Sequence, residues 1–398
     1  MYRTLLIVIV VAALLPAGIA LARDGEKPSV AFLHFGSHPL SSLSEKGILD
    51  MLAAYGYIGV DERAGWRQGE NFEGADIDIL YRSAGFDLAT VNLMVEDVLD
   101  RGADVLVTIT TQVSQIAANA TRDLDDPPLI IFSLVATPYD AGIADAPCIK
   151  PDHVAGTQSV VSFDDMVPLL LTLDPDMKAV GTLVSPGQQT SVYGARQIKE
   201  IGESLELRVE TATVVSIADL NIAVESLAGK GVEAIMYPIG SVTIAGFPVL
   251  MSLSIEYGIP LFTPVMPAVY QGVTVGAGFR SFYGEGIIAG RMLVAHLNGD
   301  IDLADIRINE SRAFGVALNL DSAEEQGVEI SDELLAMAEY VIEDGQSTEG
   351  VTPDMPEVVT DLPDMPLDAR READLAFLAE LHCTDEMIAE QRAQLGNQ

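Results

Sequence analysis

One repeating unit fills residues 29–300: an apolar run rich in Val, Ile and Leu, then a short polar loop, then a stretch with helical periodicity. Strands that are almost continuously apolar are buried on both faces, and their alternation with amphipathic helices is typical of parallel sheets covered by helices. The strand candidates are SVAFLHF, IDILYRS, VLVTITT, LIIFSLV, KAVGTLVS, LRVETATVV, AIMYPIG, PLFTPV and VTVGAGF. This repetition predicts an α/β protein.

The helical stretch DLATVNLMVEDVLDRG has the expected spacing, and one of its faces should therefore pack against a sheet. The residues on that face are Leu88, Val91, Val95 and Leu99. The order of elements also runs twice, with a break near PCIKPDHVAGTQSVVSF, where Pro, Gly and Ser cluster. We therefore expect two doubly wound parallel-sheet lobes, whose ligands bind outside the carboxyl ends of the strands.

The loops that follow the strands share one chemical character. Each is short, is rich in hydroxyl, amide or Gly residues, and opens a helix whose free N–H groups can receive a polar ligand group. They are Gly36-Ser37-His38-Pro39, Thr110-Thr111-Gln112, Val135-Ala136-Thr137-Pro138, Ser185-Pro186-Gly187-Gln188-Gln189-Thr190, Pro238-Ile239-Gly240-Ser241 and Pro264-Val265-Met266-Pro267. Such Ser and Thr residues also cap helices without binding a ligand. Six loops of this kind at one cleft favour binding.

His34 and His38 lie four residues apart. On a helix that spacing would put both rings on one face, as a metal site or a catalytic pair would need. In this chain they fall on a strand and on the loop after it, where the alternation of side chains gives them different surroundings. We predict that His34 packs inside the strand, that His38 belongs to the lip of the cleft, and that no metal binds.

Known catalytic motifs are missing from the sequence. There is no G-x-S-x-G, H-E-x-x-H or G-x-x-x-x-G-K, and GAGFRSFYGEG lacks the spacing of a dinucleotide fingerprint. His38 could act as a base, but nothing in the sequence places a nucleophile beside it. We therefore predict a binding protein that is not an enzyme and uses no cofactor.

The first 22 residues have the pattern of an export signal. Arg3 precedes the apolar run LLIVIVVAALLPAGIA, and Ala20-Leu21-Ala22 puts small residues at the positions that a signal peptidase reads. A membrane anchor is the alternative. However, a spanning helix needs about 20 apolar residues, and Pro16 and Gly18 interrupt this shorter run. We expect cleavage near Ala22 and a periplasmic protein.

The net charge of −37 argues against nucleic acid as a partner, because phosphate binding needs clustered Lys and Arg. The acidic excess is concentrated from Asp321 onward, where 21 Asp and Glu stand against three Arg and no Lys. This segment is either a solvated face or a docking tail for a basic partner.

Nine longer stretches, in this order and at this spacing, point to one known family. They are FLHFGSHPLSSLSEKGILDMLAAYGY, GADVLVTITTQVSQIAANATRD, PLIIFSLVATPYDAGIA, HVAGTQSV, KAVGTLVSPGQQTSV, VESLAGKGVEAIMYPIGSV, GIPLFTPV, GAGFRSFYGEGIIAGRMLVAHLNGD and FGVALNLDSAEEQGVEISDELLAMAEYVIE. Together they resemble the periplasmic substrate-binding proteins of ABC transporters, in the subgroup whose known members include tryptophan and tyrosine binders. The resemblance covers roughly residues 28–343.

The resemblance implies two lobes joined by a hinge of three crossovers, a small-molecule ligand trapped between them, and delivery to a membrane permease. After a signal peptide at 1–22, we expect a first lobe at 23–156, completed by about 280–308, and a second lobe at 157–279, completed by about 309–343. We expect a monomer. A sensing module that signals to a membrane kinase or chemoreceptor is the alternative, because nothing in the mature chain separates uptake from sensing.

The chain departs from amino-acid-binding relatives at three loops. Where those relatives commonly carry an Asp, it has Ala136-Thr137-Pro138, Ile239-Gly240-Ser241 and Pro264-Val265-Met266. A buried ammonium group needs such acceptors, because an unpaired buried charge costs several kcal/mol. We therefore expect a ligand without an ammonium group, neutral or anionic, with an apolar body. The residues expected to meet that body are Phe35, Val265, Met266 and Tyr270.

Arg280 stands in GFRSF where relatives have GFDYY, so it puts a cation near a crossover. It either contacts the ligand or points outward at the start of a helix. The full set of predicted ligand-binding residues is Phe35, Gly36, Ser37, His38, Thr110, Thr111, Gln112, Val135, Thr137, Gln188, Thr190, Gly240, Ser241, Val265, Met266, Tyr270 and Arg280.

The resemblance ends at residue 343, and residues 344–398 form an acidic extension. Its first part, DGQSTEGVTPDMPEVVTDLPDMPLD, is rich in Pro and predicts a linker. AREADLAFLAELHCTDEMIAEQRAQL then has Leu at near-helical spacing and predicts a final helix. The two cysteines, Cys148 and Cys383, would meet in an oxidising compartment, so we predict a disulfide that ties this helix to the first lobe. Two separate buried thiols are the alternative.

Overall fold

The computed structural model describes residues 27–36, 39–279, 281–311, 314–348 and 361–396. Within these ranges the strands are β1 (Ser29–His34), β2 (Phe72–Glu73), β3 (Asp78–Ser83), β4 (Val105–Ile109), β5 (Leu129–Val135), β6 (Val154–Ser159), β7 (Ala179–Val184), β8 (Arg208–Thr213), β9 (Ala234–Met236), β10 (Leu261–Val265), β11 (Val275–Phe279), β12 (Asn309–Ser311), β13 (Phe314–Asn319), β14 (Tyr340–Glu343) and β15 (Gln346–Ser347).

The helices of the same ranges are α1 (Pro39–Ala54), α2 (Val60–Gly65), α3 (Leu88–Asp100), α4 (Thr111–Thr121), α5 (Phe163–Met166), α6 (Leu169–Leu173), α7 (Gln189–Ser204), α8 (Asp219–Gly229), α9 (Ser241–Ala245), α10 (Phe247–Tyr257), α11 (Phe282–Leu297), α12 (Leu320–Gln326), α13 (Asp332–Met337), α14 (Leu367–Ala379) and α15 (Asp385–Leu395). Two 3₁₀ helices span Met266–Gln271 and Leu303–Asp305. None of the described helices combines the length and the apolar character that crossing a bilayer requires.

The strands form two sheets, and each sheet with the helices packed on it is called a lobe below. The first lobe has the strand order β12-β6-β5-β4-β1-β3-β2, and the second lobe has the order β15-β14-β13-β11-β10-β9-β7-β8. Most neighbouring strands run parallel, whereas β2–β3, β11–β13 and β14–β15 are antiparallel. The predicted α/β fold with two doubly wound lobes is therefore confirmed.

The central strands are buried on both faces, as their continuous apolar runs predict. In β1, Val30 and Phe32 pack into the core on one face of the first sheet, while Ala31 and Leu33 pack into the core on the other. Side chains of a strand alternate between faces, so each face needs its own layer of helices. His34 ends this strand at 1% exposure, with Nε2 3.1 Å from Oε2 of Glu45, and its predicted packing inside the strand is confirmed.

The chain passes between the two sheets after β6, after β11 and after β12. Ser159 and Ser311, the last residues of β6 and β12, are partners in a parallel pair, so two of these passages leave the first sheet side by side. Between β11 and β12, α11 packs along α1 on the first sheet. Glu285 in the first turn of α11 is hydrogen-bonded to both Ser159 and Ser311, so the described residues that flank these passages lie together.

Two local predictions differ from the structure. α3 buries Val91, Met94, Val95 and Val98, and the predicted Leu88 is 43% exposed because it lies in the first turn, at the edge of the lobe. The single predicted final helix is two helices, α14 and α15. They separate because Thr384 caps α15 by accepting a hydrogen bond from the Met387 N–H at 3.2 Å.

The acidic extension begins with β15, which pairs with β14 at the edge of the second sheet, and its later part, residues 361–396, packs on the first lobe. Leu378 and Leu381 of α14 and the turn after it are buried in the core cluster of that lobe, which contains residues of α1 and α11. Asp374 accepts a hydrogen bond from Arg291 of α11 at 2.8 Å. Cys148 and Cys383 form a disulfide, which confirms the predicted pairing. The later part of the extension is thus an additional, covalently fastened layer of the first lobe.

Candidate functional site

A cavity of about 140 Å³ lies between the carboxyl ends of the two sheets. A cavity of about 150 Å³ can hold a benzene molecule, so this cavity has room for a small organic molecule. Its first-lobe lining is Phe35, Gly36, Ser41, Phe86, Thr110, Thr111, Gln112, Leu134, Ala136 and Ser159. Its other lining residues are Val161, Thr190, Tyr237, Ile239, Gly240, Thr243, Ile244, Phe247, Thr263, Val265, Ala268, Gln271 and Phe282.

Eight of the predicted ligand-binding residues line this cavity. They are Phe35, Gly36, Thr110, Thr111, Gln112, Thr190, Gly240 and Val265. Ser37, His38 and Arg280 lie outside the described residues, and so does the side chain of Ser241, which opens α9. The structure therefore brings together residues that sequence alone placed in or beside five separate loops.

Five other predicted residues lie beside the cavity rather than on its surface, and their role stays a prediction. Val135 and Thr137 are buried in the first lobe, and Gln188 precedes α7. Met266 and Tyr270 belong to a small core cluster of the second lobe. The Tyr270 ring stacks on the Tyr340 ring at 5.4 Å, away from the cavity lining.

The first-lobe wall contains three residues with a left-handed backbone, which is uncommon for side chains of their size. The φ angles are 67° at Phe86, 88° at Thr110 and 56° at Leu134. These residues lie after β3, after β4 and near the end of β5, at the edge of the sheet that faces the cavity. Such conformations cost about 1–3 kcal/mol each and persist where the surrounding structure enforces them, often at ligand sites.

The second-lobe wall is mainly apolar. Its aliphatic and aromatic members are Ile239, Ile244, Phe247, Val265 and Ala268. Tyr237 and Thr263 form a hydrogen bond behind this surface, and burial raises the pKa of the Tyr237 hydroxyl above its ordinary value. This tyrosine therefore stays neutral and presents no charge to a ligand.

The two lobes contact each other around the cavity. The Thr190 hydroxyl at the start of α7 donates a hydrogen bond to the Thr111 hydroxyl at the start of α4, at 3.3 Å. Leu43 and Leu134 of the first lobe pack against the core cluster of the second. The cavity is thus bounded by contacts that form only when the lobes are together.

No charged side chain occurs among the described residues that line the cavity. The carboxylate bonded to the lining is Glu285 of α11, whose Oε2 accepts a hydrogen bond from Ser159 at 3.1 Å. Burial raises the pKa of Glu285 to about 7, against the opposing effect of the hydroxyls of Ser311, Ser159 and Thr157. Within the described ranges, no three His, Cys, Asp or Glu side chains are grouped as a metal site would require.

Sequence reasoning missed Phe86, Leu134, Tyr237 and Phe247. Phe86 follows Gly85 in the turn after β3, and that turn lacks the Ser, Thr and amide residues that mark the other loops. Leu134 lies inside a strand, and nothing in an apolar run reveals a left-handed residue. The signal that could have found Phe86 is its position alone, since the carboxyl ends of neighbouring parallel strands share one edge of a sheet.

Comparison with known proteins agrees with this architecture. A model of the family of ABC transporter substrate-binding proteins matches residues 29–342. A tyrosine-binding protein of Clostridioides difficile is 25% identical over 279 residues, which cover 68% of this chain and 78% of that protein.

Solved structures show the same fold. An ABC domain from Streptococcus pneumoniae in complex with L-Trp has a TM-score of 0.70 at 26% identity, covering 80% of this chain and 100% of that one. A conserved domain protein from Vibrio cholerae also has a TM-score of 0.70, at 21% identity and the same coverage. Since the family match spans most of the chain, this protein belongs to the ABC transporter substrate-binding proteins, which bind solutes and are not enzymes.

Proposed function

We propose that this protein is the solute-binding component of an ABC-type uptake system. It traps a small organic ligand, neutral or anionic and partly apolar, between its lobes and delivers it to a membrane permease as a monomer. The cavity lined by both lobes carries this proposal. A ligand can shift the balance between open and closed forms only if it contacts the closed form better, and in this cavity it would touch both walls at once.

The chemistry of the loops supports a ligand without an ammonium group. At each of the three places where amino-acid-binding relatives commonly carry an Asp, a neutral residue of this chain lines the cavity: Ala136, Gly240 and Val265. The tyrosine-binding and L-Trp-bound relatives accept an aromatic body, and the apolar second-lobe wall suits a body of that kind. Of the predicted residues, we propose the eight that line the cavity as ligand contacts.

We also propose the moving units. The first comprises residues 23–159 and about 280–311, and the second residues 160–279 and about 314–343, with the passages between the sheets as the hinge. The expected boundaries at 156 and 308 move because β6 and β12 both belong to the first sheet. Small-angle scattering should show a more compact particle with ligand than without it. An unchanged profile in the presence of a ligand known to be bound would contradict closure.

Export is a further part of the proposal. Residues 1–22 would direct the chain to the periplasm and be removed there, and a disulfide such as Cys148–Cys383 persists in that compartment. N-terminal sequencing of the protein from its source should begin at Arg23. Retention of the first 22 residues would instead favour a membrane anchor.

Native mass spectrometry of the protein from its source tests the function most directly. We expect one small organic molecule per chain, released on denaturation and restored by adding it back. Permease and ATPase genes beside this gene would support uptake. Failure of any molecule to bind and to close the lobes would contradict the proposal.

A further inference from the structure

The left-handed residues of the described chain are not scattered. Apart from glycines, five have positive φ, and three of them line the cavity: Phe86, Thr110 and Leu134. The other two, Glu206 and Asp344, lie in turns away from it. Strained backbone that is concentrated in one wall indicates a surface whose shape is fixed before the lobes close.

Phe86 is held against the end of β1 by several contacts. Its ring covers Gly36, where an added Cβ atom would come within 2.5 Å of Cζ of the ring. The Phe86 N–H donates a hydrogen bond to the Phe35 carbonyl at 2.7 Å, and the two rings meet edge to face at 5.8 Å. The side chain is still 39% exposed, so part of this seated ring remains open to a ligand.

Several polar groups of the lining are engaged within the protein, whereas the buried hydroxyl of Thr110 has no hydrogen-bond partner among the described residues. Thr111 and Thr190 bond to each other, and Thr243 donates to the Gly240 carbonyl at 2.8 Å. Ser159 donates to Glu285. The pair Tyr237–Thr263 is likewise hydrogen-bonded. A ligand with several polar groups would find few partners, because bonding to these hydroxyls would break bonds that already exist.

Charge on the ligand would be disfavoured as well. The described lining offers no charged side chain, and a charge buried without a partner is strongly unfavourable. The two amides of the lining, Gln112 and Gln271, suit one polar group on an otherwise apolar body. The volume of about 140 Å³, close to that of a cavity that holds one benzene molecule, favours a body built on one small ring system.

From these observations we propose that Phe86 and Leu134 form a preformed apolar ledge that selects an uncharged, flat molecule with at most one or two polar groups. The proposal rests on the proposed function, since it describes the solute of the same cavity. Phe86 contacts one face of the ligand, and the apolar wall of the second lobe, with Ile239 and Phe247, closes on the other. Phe86 is thus the specificity-determining residue of the site.

A charge series on one ring system tests the ligand class by calorimetry. Indole and indole-3-acetamide are neutral, indole-3-acetate is an anion, tryptamine is a cation and L-tryptophan is a zwitterion. Indole-3-acetamide matches the size of indole-3-acetate, so this pair separates charge from size. We expect indole, and indole-3-acetamide among the larger probes, to bind at least about tenfold more tightly than each of the three charged members. A charged member that binds as well as indole would overturn the proposal, and a preference for indole-3-acetate would favour an anionic ligand instead. Binding by none of them would overturn the assignment of a flat ring of this size.

Variants of Phe86 test the ledge. Phe86→Ala and Phe86→Gly should each weaken indole binding about tenfold, because both remove the ring. Glycine also adopts positive φ without strain. Equal losses of indole affinity in the two variants would therefore show that the missing ring contact, and not the backbone strain, weakens binding. The control is Leu93→Ala on α3, which removes an apolar side chain that is 64% exposed and outside the cavity lining. Unchanged indole affinity in both Phe86 variants would overturn the role of the ledge.

The two proposals can fail separately. If the molecule found by native mass spectrometry is charged, yet closes the lobes, the uncharged ligand class is wrong and the solute-binding function stands. If indole binds through Phe86 but no molecule closes the lobes, the ledge stands and the solute-binding function is wrong.

Discussion

The two walls of the ligand cavity are built in different ways. The first-lobe wall carries Phe86, Thr110 and Leu134 in left-handed conformations, whereas the described second-lobe lining has extended or helical backbone at every residue other than glycine. Strained residues hold a shape only if their surroundings are rigid. The first lobe is therefore the preformed half of the site, and the second lobe is the half that closes on it.

Away from the cavity, too, the first lobe has features that make it more rigid than the second lobe. The acidic extension adds buried Leu378, the Arg291–Asp374 ion pair and a disulfide to the first lobe. The extension adds to the second lobe the two-residue edge strand β15, and none of residues 361–396 belongs to the core clusters of that lobe. A covalently fastened helical layer on the first lobe makes that lobe the more rigid body, in keeping with the preformed wall.

Loss of the disulfide should have the largest effect on this difference. Cys148→Ser with Cys383→Ser opens a covalent loop of 235 residues, and we expect stability to fall by about 2–5 kcal/mol. Urea unfolding measures the total loss of stability, and hydrogen exchange shows in which helices the loss occurs. Protection should fall in α11 and α14 of the first lobe and stay unchanged in α7 and α8 of the second. An equal loss of protection in both lobes would erase the proposed asymmetry.

Ionisation of Glu285 should weaken the first-lobe side of the hinge as pH rises. Because the pKa is raised to about 7, the folded protein holds a proton that the unfolded chain releases from about pH 4.5. The contribution of this proton to the free energy of unfolding is fully present below about pH 4.5 and is lost as pH rises through 7. The total loss is on the order of 3 kcal/mol. Glu285→Gln should remove this loss.

Denaturant unfolding of the protein and of Glu285→Gln between pH 5 and pH 8 measures the effect as a difference. His153 and His296, whose pKa values are lowered by burial, titrate in both proteins and cancel in that difference. Parallel curves for the two proteins would show that Glu285 stays in one protonation state and does not weaken the hinge.

The contrast between the walls also explains what the sequence could predict. Hydrophobic runs and their repetition were enough to predict the two sheets, because burial on both faces of a strand favours Val, Ile and Leu along its whole length. The polar loops located eight lining residues, because parallel strands end at one edge. The cysteine pair followed from compartment and count alone.

The rest depended on tertiary structure. No residue type signals a left-handed Leu134 within β5, since the register shift against β6 arises only when the strands pair. Met266 and Tyr270 stand in a loop of the expected character, yet the 3₁₀ helix that contains them turns them into a core cluster with Tyr340. The break between α14 and α15 has a local signal that the sequence analysis passed over, the Thr384 cap followed by two acidic residues, and the hydrogen bond from the Cys383 N–H to the Asp305 carbonyl fixes it in the tertiary structure.

A methyl group at Gly36 tests the preformed wall more gently. Gly36→Ala should displace the Phe86 ring from its position over residue 36, because the added Cβ would lie 2.5 Å from the ring. The fold should tolerate this, since the ring is the end of a movable side chain, while ligand binding weakens roughly tenfold, or about 1.4 kcal/mol. Gly229→Ala in the second lobe, with no atom within 4 Å, is the matched control. Equal affinities in the two variants would mean that the wall needs no fixed shape.

The smallest effect is expected at the hydrogen bond that spans the cleft. Thr190→Val keeps the shape of the side chain and removes the hydroxyl that donates to Thr111. A single neutral hydrogen bond contributes about 0.5–1.5 kcal/mol, and this one forms only in the closed form. Fluorescence energy transfer between dyes on the two lobes should show a several-fold shift toward the open form, with unfolding unchanged. Thr190→Ser retains the hydroxyl and should behave like the parent protein. If Thr190→Val leaves the open fraction unchanged, closure depends on the apolar contacts of Leu43 and Leu134. In that case Leu134 both lines the ligand cavity and holds the second lobe in the closed form.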